Sequence, residues 1–144
     1  MKVTIDSKNI EIVPKAFEGE TPRPTFVFRQ LNCRDVLNAQ REIPTYIDGN
    51  GVERYDLMQF GLDFLDTLFI EAKNLEFYDK DENIIELKKF SQIFDITADS
   101  RFTAAYNEIF GEIETIVKRA REQGDKTIKK CQSAGKSSKQ AKKK

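Results

Sequence analysis

Between Phe102 and Ala120, apolar side chains return every three or four residues: Phe102, Ala105, Tyr106, Ile109, Phe110, Ile113, Ile116, Val117 and Ala120. That period lays them along one face of a helix of about five turns. A stripe of this length has to be buried, so the rest of the chain must supply a matching apolar surface. Asp99 or Ser100 can cap the start, Lys118, Arg119 and Arg121 fill the last turn, and Gly124 is the expected stop.

A second stripe, Leu57, Phe60, Phe64, Leu65, Leu68, Phe69 and Ala72, predicts another amphipathic helix over 57–72, with Asp56 as its cap. Upstream of it the period changes to two. Val3 and Ile5, then Ile10 and Ile12, alternate with polar residues around "DSKN", a β-hairpin pattern closed by Pro14. "TFVFRQL" reads as a third strand with Phe26 and Phe28 on one face, and Asn32 with Asp35 begins a short helix "CRDVLNAQRE". "IPTYIDGNGVERY" and "LEFYDKDENIIEL" each place turn residues between two β-prone pieces, and a short helix is expected around "LKKFSQIF". The class is α+β: an N-terminal β-hairpin and short strands packed with a C-terminal set of amphipathic helices. One domain is expected over 1–124, followed by a disordered Lys-rich tail over 125–144.

The 24 basic and 24 acidic side chains of the 144 residues cancel, but they are not mixed. Lys126, Lys129, Lys130, Lys136, Lys139, Lys142, Lys143 and Lys144 give the end of the chain a charge of +8 with no acid among them, which leaves residues 1–125 at −8. The body is aromatic, with 11 Phe and 4 Tyr and no Trp. Cys33 and Cys131 are too far apart in sequence to read as a disulfide framework. "MKVTIDSKN" lacks the apolar core of a signal peptide, and the most hydrophobic stretch is interrupted by Gln59, Asp63 and Asp66. The expectation is a cytoplasmic protein with no membrane segment.

Catalytic chemistry finds little to stand on. The chain has no histidine, which removes Ser-His and Cys-His pairs and every His-containing metal site. Asp79, Asp81 and Asn83 have the first ligand spacings of a calcium loop, but Ile84 and Phe90 stand where its glycine and bidentate glutamate belong. Gly135-Lys136-Ser137 echoes a phosphate loop, yet Lys130 occupies the position of its first glycine. Asp63 and Asp66 could face each other as an acid/base pair, but their position on the polar side of the stripe makes a solvated helix face the simpler reading. The expectation is a protein with no catalysis, no metal and no cofactor.

The order of parts does carry a resemblance. In "AKNLEFYDKDENIIELKKFSQIFDITADSRFTAAYNEIFGEIE" a helix leads into a strand, an acidic D-x-D-x-x-I turn, a short helix, and F-x-x-A-Y-x-E-I opening the last helix. With the N-terminal hairpin and "PTFVFRQLNCRDVL", this resembles the tail assembly chaperones of long-tailed bacteriophages and prophage-like particles. It departs at the central turn, where Phe77 and Asn83 replace the tryptophan and glycine common in such proteins. The resemblance implies a binding function: coating the helical tape-measure protein, keeping it soluble and recruiting tail-tube protein. It puts the partner surface on the 57–72 and 102–120 helices, with Leu68, Phe69, Ile109 and Phe110 near its centre. A structural component of the particle is the first alternative.

Three readings of the lysine tail stay open. It can neutralise nucleic-acid phosphates, though no aromatic or arginine is interleaved to stack on bases and the acidic body opposes the same ligand. It can serve self-association, since a flexible 19-residue tail reaches about 24 Å, enough to meet the acidic body. It can be a solubilising end. The resemblance adds that "AKKK" can be encoded by an A-rich run on which a frameshift would give a longer product; the codons would decide this.

Overall fold

The computed structural model describes residues 1–4, 8–40 and 43–142, with 123–142 described by their backbone alone. The chain adopts the α+β class read from the sequence. Its sheet is antiparallel and three-stranded, with β1 (Ile10–Ile12) and β5 (Phe69–Lys73) flanking β2 (Thr25–Phe28). The strand expected at 3–5 is not seen at residues 3 and 4, while residues 5–7 lie outside the described residues. The described partner of β1 is β2, with Ile10 opposite Phe28 and Ile12 opposite Phe26. In this pairing Ile12 is buried with Phe26 and Phe28 in the core.

β2 is paired along both edges, and it carries buried side chains on both faces. Phe26 and Phe28 are 0% exposed on the core face. Val27 looks the other way, in register with Glu11 and Glu71, and is buried too. On that side Lys73 reaches across β2 to Glu11 at 3.0 Å, and the alkyl stem of such a lysine shields apolar neighbours while its head stays in water.

Helix α1 (Cys33–Asn38) starts with the expected cap. The Asn32 side chain accepts from the Asp35 N–H, and the Asp35 carboxylate accepts from the Asn32 N–H, a reciprocal capping box. Next, β3 (Thr45–Ile47) and β4 (Glu53–Tyr55) form the first small hairpin. Its turn is held by the Asp48 carboxylate, which accepts from the N–H groups of Asn50 and Val52, and Gly51 takes the positive φ of 77° that the turn requires.

Helix α2 (Leu57–Leu68) is capped by Asp56, which accepts from the Gln59 N–H. It stops four residues before the expected end at Ala72. The Arg29 N–H donates to the Leu68 carbonyl at 2.9 Å, and from Phe69 the backbone is extended. The ladder to β2 captures the helix end, so the last two members of the apolar stripe, Phe69 and Ala72, lie in β5. Tertiary pairing has overridden local periodicity here.

The second hairpin pairs β6 (Phe77–Tyr78) with β7 (Ile84–Ile85). Its acidic turn is an Asx-type turn, in which Asp79 accepts from the N–H groups of Asp81 and Asn83. Helix α3 (Gln92–Ile96) then lies at the end of the segment expected to be helical. The last helix, α4, runs Ser100–Lys142, with Asp99 accepting from the Arg101 N–H at its start.

One expectation at the C-terminus is corrected: α4 does not stop at Gly124, and its described backbone is helical through Lys142. A single glycine costs a helix about 1 kcal/mol, less than a break requires, and the Lys, Gln and Ala that come after it are good helix formers. Lys143 and Lys144 lie outside the described residues.

The core lies between the sheet and the helices. Phe90 is its hub, with ring centroids 5.5 Å from Phe26, 6.2 Å from Phe28, 6.2 Å from Phe69, 5.8 Å from Phe94 and 6.5 Å from Tyr106. From α4, Phe102, Ala105, Tyr106, Ile109, Ile113 and Val117 complete it, so the expected stripe is mostly the buried face. Two carboxylates fasten these layers. Glu108 on α4 accepts from the N–H groups of Lys15 and Ala16 at 3.0 and 3.1 Å, capping a 3-10 turn (Lys15–Phe17) that lacks a local cap. Asp66 on α2 accepts from the N–H and hydroxyl of Ser91 at the start of α3.

Candidate partner-binding cleft

The predicted partner residues separate into two groups. Leu68 and Ile109 are both 0% exposed and belong to the core, so the expectation that they face a partner is corrected. A helix presents one line of residues straight down into the body and the adjacent line at its edge, and these two sit on the inner line. Phe69 is half-buried in β5, packed with ring centroids 5.9 Å from Phe28. Phe110 lines an opening.

That opening is a cleft of about 110 Å³ between α2 and α4. Phe60 and Phe64, one turn apart on α2, form one wall, with their rings stacked at 6.4 Å and 7°. Phe110 and Val117 of α4 form the opposite side, and Ala39, just past α1, closes one flank. Glu114, Lys118 and Arg121 supply the rim. Residues 110, 114, 117, 118 and 121 share one face of α4, and their span along the axis is about 16 Å.

The cleft owes its shape to a close helix crossing. At Gly61 on α2 an added Cβ would stand 1.9 Å from the Tyr106 hydroxyl and 3.2 Å from the Phe110 ring. Glycine at this position therefore lets Tyr106 fill the crossing. Tyr106 is held in place by Phe110, stacked at 5.8 Å and 16°, and by Phe94, edge-on at 6.0 Å and 89°. Burial pushes the Tyr106 phenol pKa up. Phe110 thus rests on a fixed ring, and the cleft floor is preformed.

At the rim, Glu114 and Lys118 pair at 3.3 Å across one helical turn, while Arg121 makes no ion pair with a described residue. The sequence marks Phe60, Phe64, Phe110 and Val117 as members of apolar stripes. It does not tell which of them stand at the edge of the packed interface. Ala39 and Arg121 carry no signal there.

Away from the cleft, the ion-pair chemistry is structural. Arg29 grips Asp35 in a two-point contact at 2.6 and 2.9 Å. Burial alone would raise the Asp35 carboxyl pKa, but the bond to Arg29, the Asn32 N–H and the charges of Arg29 and Arg34 together hold it below the ordinary carboxylate range. Arg101 joins Glu20 to Asp99 and lies over the Phe17 ring, 5.5 Å from its centroid. Asp63 accepts from the Gln59 side chain rather than facing Asp66. Among the described residues no group of three or more acidic or cysteine side chains could hold a metal ion, and no helix is long and apolar enough to cross a membrane.

Of the basic tail, Lys126, Lys129, Lys130, Lys136, Lys139 and Lys142 fall within the part of α4 described by its backbone. Comparison of the chain with protein-family models, curated proteins and solved structures finds no match.

Proposed function

We propose that this chain is a non-enzymatic binding protein of the tail-assembly chaperone kind, which holds a helical tape-measure protein in the cytoplasm and presents it to tail-tube subunits. The observation that carries the reading is the cleft between α2 and α4: three phenylalanine rings, partly open, with a charged rim along one face of a long helix. An amphipathic helix recognised in a groove inserts apolar residues at helical spacing and leaves its polar side to the rim. The resemblance in the order of parts supplies the partner class, and the cleft supplies a mode of contact.

The test is co-expression with a tape-measure protein from the same source. The expected result is a soluble complex that co-purifies in a fixed ratio and is lost when Phe60 is replaced by serine. A tape-measure protein that stays insoluble, or a complex indifferent to Phe60→Ser, overturns the reading. Retention of the chain in finished particles would instead make it a structural component.

A further inference from the structure

We draw no further inference here: the strongest candidate, the surface patch of the β3–β4 hairpin and the first turn of α2 where Tyr46, Ile47, Tyr55 and Leu57 stand exposed, carries none because nothing in the structure shows what covers it.

Discussion

The β1–β2–β5 sheet and the β3–β4 hairpin are built from the same kinds of residue and meet opposite fates. β1 and both hairpin strands mix aromatic or branched side chains with polar ones, whereas β2 carries Phe26, Val27 and Phe28 in a row, and both units pair antiparallel in clean register apart from one irregularity beside Phe28. Yet Phe26 and Phe28 are 0% exposed, while every residue of β3 and β4 is exposed, Ile47 at 66% and Tyr55 at 67%. The difference lies in the elements that pack onto each unit. The sheet acquires α2, α3 and α4 as a lid; the hairpin receives no comparable cover. Strand alternation says that a ribbon has two faces, and only the packing of other elements says whether either face is dry.

The largest expected effect is at the covered sheet. Phe28→Ala should lower unfolding stability by about 3–5 kcal/mol in urea titration, through lost burial and the cavity left beside Phe69 and Phe90. A loss below about 1 kcal/mol would mean that the sheet is not packed as described. Next is the crossing that carries the cleft. Gly61→Ala gains helix propensity of about 1 kcal/mol but drives a methyl into Tyr106, and overpacking should win, giving a net loss of about 1–2 kcal/mol. In a Tyr106→Phe background, where the hydroxyl is gone, most of that penalty should disappear. Equal penalties in both backgrounds would rule out the hydroxyl as the cause.

The third concerns the end of β2. Asp35→Asn should cost about 1–2 kcal/mol at neutral pH, because the charged contact to Arg29 is lost while Arg29 can still turn to water. The pH dependence comes from the lowered folded-state pKa. The stabilisation is complete above the unfolded carboxylate value of about 3.9 and drains away as pH falls from there through the folded value. The stability curve of Asp35→Asn should therefore be flatter than wild type over that acid range and parallel to it above. The smallest effect is at the open hairpin, where Tyr46→Ser and Tyr55→Ser should each change stability by no more than about 0.5 kcal/mol. Its amides should also exchange with solvent faster than those of β2. Slow exchange in β3 and β4 would erase the contrast with the sheet.

Signals that act over a few residues are legible in the sequence. Asn32, Asp56 and Asp99 each accept the backbone N–H that their cap positions require, and "DGNG" and "DKDEN" turn where their side chains can bond the backbone. The long α4 stripe is the buried face of its helix through Val117. Features set by distant partners are not legible. The stripe of Leu57–Ala72 looks like one helix until β2 claims Phe69–Lys73 as a strand. Asp66 and Glu108 read as solvated acids, and nothing nearby announces that their acceptors are spent on Ser91 and on the N–H groups of Lys15 and Ala16. At the cleft, Ile109 and Phe110 are neighbours in the same stripe, one sealed and one at an opening, and the crossing geometry of α2 makes that distinction.

The contact between Glu108 and Lys15–Ala16 spans more than 90 residues of chain, and it sets the order of events when the protein is made. Residues 10–73 emerge from the ribosome with the aromatic side of their sheet still open, since the rings and aliphatic groups that close it arrive on residues 90–117. Contacts of such separation are slow to form, and the chain must stay soluble until its last helix has been synthesised. The nascent protein is therefore itself a client for any holding factor that recognises exposed phenylalanine.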